Sequence, residues 1–359
     1  MLKGVSAEDL SHILKHTSHL WKEVQGQNIF ITGGTGFFGC WLLESFIYAN
    51  DRLNLGAKVF VLSRHPEAFA TRAPHMANHP SVSLLKGDVR TFKFPEGDFR
   101  FVVHAATEAS TKLNQEKPLL MFDTIVEGTR RTLEFARTHG TLKFLLTSSG
   151  AVYGEQPSEM THIPEDYLGA PDPMDPNSAY GEGKRAAEML CHLYAQQYRL
   201  ETKIARCFAF VGPYLPLDAH FAIGNFIRDA CRGGPVCVNG DGTPYRSYLY
   251  AADLAIWLWT ILFKGGSCRP YNTGSDRSIN IADLAGLVCQ LVKPCVEVTI
   301  AQRADPACPP QRYVPSVERA RIELGLESWV SLEQAIERTV SWLRGQDHEL
   351  RSRGIGTAG

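Results

Sequence analysis

Ile29-Phe-Ile-Thr-Gly33-Gly-Thr-Gly36-Phe-Phe-Gly39 is the stretch on which the fold turns. Its first four residues are β-branched or aromatic and read as a strand, and the residues after Gly36 read as the start of a helix. Between them glycines fall at Gly33, Gly36 and Gly39, a G-x-x-G-x-x-G spacing. Residues without Cβ let backbone N–H groups close on a pyrophosphate, and a helix N-terminus behind them adds partial positive charge. A glycine turn can also serve packing alone, but the strand before and the helix after favour a dinucleotide site.

Outward from this turn the pattern alternates. Apolar runs at Ile29–Thr32, Val59–Leu62, Val82–Leu85, Phe101–His104 and Phe144–Thr147 are separated by helix-like stretches at 38–49, 118–138 and 178–197. Such alternation predicts an α/β chain with a Rossmann-type doubly wound parallel sheet, covered by helices on both faces. Sheets of this kind bind ligands at the carboxyl ends of their strands. Past residue 200, glycine and proline thicken between 212 and 245, and helix-like pieces recur at 221–232, 252–263, 280–292 and 331–345. The expected organisation is an N-terminal helical extension over 1–26, an NAD(P)-binding domain over 27–205, a smaller α+β substrate lobe over 206–346 with crossovers to the sheet, and a flexible polar tail over 347–359. The extension is amphipathic through Leu10, Ile13, Leu14, Leu20 and Trp21 and reads as a packing or dimer-contact segment.

Composition narrows the function. The 359 residues suffice for one large domain or two. Lys+Arg number 37 against 38 Asp+Glu, without a basic block, so nucleic acid is not an expected partner. The first ten residues lack the apolar core of a secretory signal, and no run of about 18 apolar residues exists. A cytoplasmic protein without a membrane span is expected. The nine cysteines include no Cys-x-x-Cys, and the closest pairs are Cys231/Cys237 and Cys289/Cys295, so reduced thiols are expected and no metal site.

The chemistry centres on Ser-Ala-Tyr180-Gly-Glu-Gly-Lys184. An i, i+4 pair shares one helix face, with side chains about 5–6 Å apart. An ammonium beside a phenol favours the phenolate, which can take a proton from a hydroxyl while hydride leaves the same carbon. Tyr-x-x-x-Lys arises by chance often, so its weight comes from the other motifs. The second strand ends in Ser63-Arg64 where an acid would grip the ribose of NAD; a hydroxyl and a guanidinium suit a 2′-phosphate and favour NADP. Asp88, in Gly87-Asp88-Val89, could meet an adenine amine, and His104-Ala105-Ala106-Thr107 closes the fourth strand with small residues. For His104 a hydrogen-bonded strand end outweighs catalysis.

Taken in order, Gly33–Gly39, Asp88, His104-Ala-Ala, Thr147-Ser-Ser-Gly-Ala-Val-Tyr-Gly154 and Tyr180-x-x-x-Lys184 resemble the extended short-chain dehydrogenase/reductases, in particular their nucleotide-sugar epimerase/dehydratase group. Arg206-Cys-Phe-Ala-Phe-Val-Gly-Pro213, Val238-Asn-Gly-Asp-Gly through Arg246 to Asp253, and Tyr271-Asn-Thr-Gly274 extend the resemblance over about residues 27–345. It implies that Tyr180 is the acid/base, Ser149 hydrogen-bonds the reacting oxygen, and Lys184 holds the nicotinamide ribose. Thr35, Phe37, Phe38, Val89 and Phe208 join the residues above around the dinucleotide. Arg246, Asn225 and Thr107 would face the substrate, Arg312 its nucleotide, and helices 118–138 and 178–197 would pair two chains into a homodimer.

The sequence departs from the family in three places. Gly150 and Ala151 stand where 4,6-dehydratases carry Asp-Glu and where UDP-glucuronate decarboxylases place Glu at the second position. Ile125 replaces the asparagine of an Asn-x-x-Gly-Thr motif, and Ala209 replaces an asparagine after Phe208. Glycine and alanine move no protons, so elimination and decarboxylation are disfavoured. The expected activity is NAD(P)-dependent epimerisation of a nucleotide sugar, at carbon 4. The alternative is an NADPH-dependent reductase of a keto-sugar or other carbonyl, and a non-catalytic cofactor-binding protein ranks last.

Overall fold

The computed structural model describes residues 2–107, 111–219, 221–292, 294 and 296–352, with side chains to residue 346. A seven-stranded sheet, parallel throughout, runs in the order Pro270–Thr273, Glu201–Cys207, Lys143–Ser149, Phe101–His104, Asn28–Thr32, Lys58–Ser63, Val82–Lys86. Alternation along the strands feeds two cores. Ile29, Ile31, Val59, Val61, Val103 and Leu145 point to one face, against helices Phe37–Leu53 and Ala251–Lys264. Phe30, Val102, Phe144 and Leu146 point to the other, against Pro118–Thr138 and Ala179–Tyr198. Helix Ala251–Lys264 is apolar almost all round because it is buried on every side.

The strand order reverses between Asn28–Thr32 and Phe101–His104, so their carboxyl ends open a crevice at the switch point. Three small sheets follow Cys207: Phe210–Val211 with Leu249–Tyr250, Val236–Val238 with Val298–Ile300, and Tyr245–Ser247 between Ser278–Asn280 and Arg312–Tyr313. The last strand of the main sheet comes from Pro270–Thr273, well inside the stretch read as a substrate lobe.

The N-terminal segment, expected as a helical extension over 1–26, is two pieces, helix Ala7–Thr17 and a 3₁₀ turn Trp21–Val24. It packs on the core. Trp21 is fully buried beside Trp259, ring centroids 5.0 Å apart, and its indole N–H donates to Thr17 Oγ1 at 3.0 Å. Buried Asp9 accepts from Arg338 Nη1 at 2.6 Å and from Tyr250 Oη at 2.9 Å. The expected break at residue 347 is not there: the last helix runs Leu332–Ser352, since Gln346–Ser352 contains neither glycine nor proline and is rich in helix formers. The rest of the expected tail lies outside the described residues. Short helices at Pro66–Arg72, Pro74–Ala77 and Thr111–Glu116 were not anticipated, being too brief to show a periodicity.

Trp21→Ala should lower unfolding stability by about 3–5 kcal/mol, while Leu53→Ala, at a 41 % exposed position, should change it by less than about 0.5 kcal/mol. Urea unfolding of the two variants checks this.

Candidate active site

The glycine turn meets the geometry a pyrophosphate needs. Gly33 has φ 72°, and a Cβ there would sit 2.7 Å from Ala106 N and closer still to the Ala105 carbonyl. A Cβ on Gly39 would collide with the Gly34 backbone, so the helix sits directly on its own turn. Gly36 caps helix Phe37–Leu53 without a side-chain hydrogen bond, and the first turn carries no acid. The leading N–H groups are therefore open to an anion. The Phe38 ring packs against Phe210, centroids 5.1 Å apart, so Phe37 and Phe38 offer this site backbone.

At the end of the second strand Ser63 is buried, and its Oγ accepts the His65 N–H at 3.2 Å. Asp88 is partly exposed and already has a partner in Arg90. Its carboxylate takes both Arg90 Nε at 2.9 Å and Nη2 at 3.0 Å, which holds its pKa below the usual range, and the Arg64 charge acts in the same direction. Val89 packs on the helix Pro118–Thr138, where a Cβ on Gly128 would lie 2.8 Å from its Cγ1.

His104 is structural. Its ring is fully buried, with Nδ1 2.7 Å from Thr32 Oγ1 and Nε2 3.0 Å from Thr129 Oγ1. Burial, reinforced by the Lys184 charge, drives its pKa down to about 3 and keeps it neutral. Its side chain thus faces the strand interior and not the crevice; only the backbone at Ala105 and Ala106, held by Thr32, borders the glycine turn.

Ser149, Tyr180 and Lys184 come together. Ser149 ends strand Lys143–Ser149 and accepts the Ala151 N–H at 3.1 Å. Tyr180 lies in the first turn of helix Ala179–Tyr198, its N–H held by Asn114 Oδ1 at 3.0 Å, a contact no motif announced. Burial pushes the Tyr180 phenol up to about 12, and hydrogen bonding to Ser149 pulls against that rise. Lys184 is buried, which lowers its pKa to about 8. Its Nζ donates to the Thr147 carbonyl at 2.8 Å and to Thr107 Oγ1 at 3.1 Å, and stands 5.8 Å from the Tyr180 ring centroid. Burial is the largest influence on the Tyr180 pKa, and Ser149 rather than Lys184 is the group that opposes it. Thr107, expected to face substrate, orients Lys184.

Behind the site a buried polar chain locks the catalytic helix to the sheet. Ser148 Oγ donates to Glu188 at 2.6 Å, and Arg206 grips Glu188 through Nη2 at 2.7 Å and Nε at 3.0 Å. Arg206 Nη1 donates to Tyr153 Oη at 2.9 Å, which donates to Asn272 Oδ1 at 2.7 Å.

A cleft of about 380 Å³ opens on Tyr180, lined also by Asn114, Ala151, Pro171, Asn177 and Tyr313. Arg246 is half-buried, and among the described residues no carboxylate pairs with it; burial lowers its pKa and the Tyr248 and Tyr313 phenols are its electrostatic neighbours. Arg312 stacks on Tyr245, 4.4 Å from the ring centroid. Asn225 is engaged by Arg228, whose Nη1 donates to its Oδ1 at 3.1 Å. Phe208 lies over Gly150, beside Tyr313. Tyr313 escaped the sequence reading because it reaches the site only through pairing between distant strands.

This fold and constellation define an extended short-chain dehydrogenase/reductase enzyme. The chain matches the NAD dependent epimerase/dehydratase family over residues 29–274 and belongs to it. Among curated relatives, UDP-glucuronic acid decarboxylase 6 of Arabidopsis thaliana is 32 % identical over 309 residues, 86 % of each chain. UDP-glucuronic acid decarboxylase 1 of Xenopus tropicalis is 30 % identical over 334 residues, 93 % of this chain and 76 % of that protein. Among solved structures, UDP-glucose 4-epimerase of Thermotoga maritima aligns with TM-score 0.75 at 23 % identity, over 89 % of this chain and 99 % of the other. UDP-glucuronic acid 4-epimerase of Bacillus cereus, in complex with UDP-glucuronic acid and NAD, gives 0.75 at 21 %, over 89 % and 100 %. Among the described residues no helix is long and apolar enough to cross a membrane.

Because His104 is held neutral while an unfolded histidine titrates near its ordinary pKa, its stabilising effect is complete above about pH 6.5 and fades as pH falls towards 3. The stability gap between wild type and His104→Asn should therefore narrow by about 2 kcal/mol between pH 7 and pH 5 in urea unfolding.

Proposed function

We propose that the protein is a UDP-sugar epimerase that oxidises and re-reduces a ring carbinol, carbon 4, with NAD. The observation that carries this reading is the convergence of Tyr180, Ser149 and Lys184 beside an uncapped helix N-terminus, with Gly150 and Ala151 directly after Ser149 in place of carboxylates. Bound NAD would accept and return the hydride. Tyr180 takes the hydroxyl proton and gives it back, and Ser149 holds the oxygen between. Lys184, low in pKa, holds ribose hydroxyls and its charge favours the phenolate once the two are bridged. The half-buried Arg246, without a carboxylate partner among the described residues, suits a diphosphate. The curated relatives are named for UDP-glucuronic acid, which supports a UDP-sugar. Exposed Leu119, Met189, Leu193 and Tyr198 on the two long helices of one sheet face suit pairing with a second copy. Ser63 and Arg64 keep NADP as the competing cofactor, while the family is named for NAD.

A second reading, UDP-glucuronate decarboxylation, is favoured by those same relatives. Once carbon 4 is a ketone, the bond from carbon 5 to the carboxylate can break, its electron pair forming an enolate with that ketone as carbon dioxide leaves; carbon 5 then takes a proton, and the hydride held by bound NADH would return to carbon 4. The missing carboxylate at Ala151 weighs against it.

UDP-glucose and UDP-glucuronate, each incubated with enzyme and NAD, distinguish the two. Epimerisation yields the carbon-4 epimer with neither gas release nor net change in nicotinamide absorbance. Decarboxylation yields a UDP-pentose and carbon dioxide, and a reductase would instead consume NADPH. Tyr180→Phe should lower turnover by about 100-fold or more, and an undiminished rate would refute the assignment.

A further inference from the structure

Helix Ala179–Tyr198 carries Tyr180 in its first turn but does not cap itself. Its N-cap residue, Ser178, makes no side-chain capping hydrogen bond. The first N–H groups of a helix have no partner within it, and the one at Tyr180 is met from elsewhere in the chain. Asn114 Oδ1 accepts it at 3.0 Å, from the short helix Thr111–Glu116, 66 residues earlier. The same amide acts a second time, because Asn114 Nδ2 donates to the Asn177 carbonyl at 2.7 Å. One side chain thus pinches together Asn177 and Tyr180, the two ends of the turn that launches the helix. Asn177 belongs to the 3₁₀ turn Pro176–Ser178 and is seated by Asp175, whose Oδ1 accepts both its N–H and its Nδ2 at 2.9 Å. Asn114 and Asn177 line the same cleft as Tyr180.

Asparagine suits this place chemically. Its amide offers an acceptor and donors on one planar group. A carboxylate of the same length would accept from Tyr180 but repel the Asn177 carbonyl, and a serine is too short to span both contacts. Lys184 is anchored from the same connection. Thr107 lies, like Asn114, between strand Phe101–His104 and helix Pro118–Thr138, and its Oγ1 accepts from Lys184 Nζ at 3.1 Å. The Thr147 carbonyl holds that ammonium independently, at 2.8 Å. Helix ends fray when their caps are lost. Without Asn114, Tyr180 would therefore shift against an ammonium that stays where it is.

We propose that Asn114 is a positioning residue for proton transfer at Tyr180: from the connection after Phe101–His104 it caps helix Ala179–Tyr198 and so sets the phenol against Lys184 and Ser149. The inference rests on the reading of Tyr180 as the acid/base. Asn114 itself exchanges no proton; the substrate hydroxyl proton passes to Tyr180, and the hydride leaves separately.

Asn114→Ala removes both contacts. With the UDP-sugar that wild type turns over, kcat should fall about tenfold, since small displacements of a reacting group are costly. KM for that sugar should hold, and NAD should bind as in wild type by titration calorimetry. The pH at which kcat/KM rises should move up by about half a unit or more, because a displaced phenolate loses support from the neighbouring ammonium. Ser6→Ala removes a cap of the same kind outside the cleft, where Ser6 Oγ accepts the Asp9 N–H at 3.0 Å, and should keep wild-type kcat. An Asn114→Ala enzyme with wild-type kcat overturns the proposal. So does a slower one whose pH profile has not moved, or a Ser6→Ala enzyme slowed as much, because lost cap stability alone then explains the rate. Asn114→Ser is read in the same way if Asn114→Ala does not fold. If Tyr180→Phe abolishes turnover while Asn114→Ala is normal, only this inference fails. If Tyr180→Phe is fully active, or no UDP-sugar is turned over, the acid/base reading falls and this inference with it.

Discussion

The close approach of Gly33 to the Ala105–Ala106 backbone governs the arrangement of everything else. Adjacent parallel strands diverge at their carboxyl ends only where their connections leave to opposite sides, and here the first and fourth strands do so. The turn must pass under the end of its neighbour, and positive φ together with backbone contact excludes any side chain at Gly33. The same economy recurs at Gly39, which seats the helix on the turn and aims its uncapped N-terminus into the crevice. A dinucleotide held here would be read by backbone, which suits a signature of residues that lack side chains.

Chemistry is added two strands away, and it depends on burial. The Ser148–Glu188–Arg206–Tyr153–Asn272 chain ties helix Ala179–Tyr198, strand Lys143–Ser149 and the edge strand Pro270–Thr273 into one unit. Breaking such a buried network leaves charge uncompensated, so these groups hold Ser149 and Tyr180 in fixed relation. Burial also depresses Lys184 and neutralises His104, and the two effects are complementary: a protonated His104 would repel the ammonium that the site retains. At Gly150, directly after Ser149, the space a side chain would take is filled from the far side by Phe208 and Tyr313.

Much of this was readable from local pattern. The strand–turn–helix at 28–53, the alternation that builds the sheet, and the Tyr180/Lys184 spacing are short-range signals, and the structure places each where the pattern put it. Asn114 and Tyr313 carried no such signal. Asn114 sits in a six-residue helix without periodicity, and Tyr313 reaches the space beside Gly150, 163 residues away, from a two-residue strand. The continuation of the last helix to Ser352 and the Arg90 grip on Asp88 were not legible for a related reason: polar composition does not distinguish solvent from a helix or from an arginine next door.

The sequence by itself determined the parallel sheet, the glycine turn and the Tyr180/Lys184 spacing, because each depends on contacts within a few residues or on a periodicity of two or 3.6. Only the tertiary structure decided which way those residues are tuned. The Tyr180 and Lys184 pKa values are set by desolvation and by partners from distant strands, and the space beside Gly150 has meaning only once Tyr313 is seen to fill it.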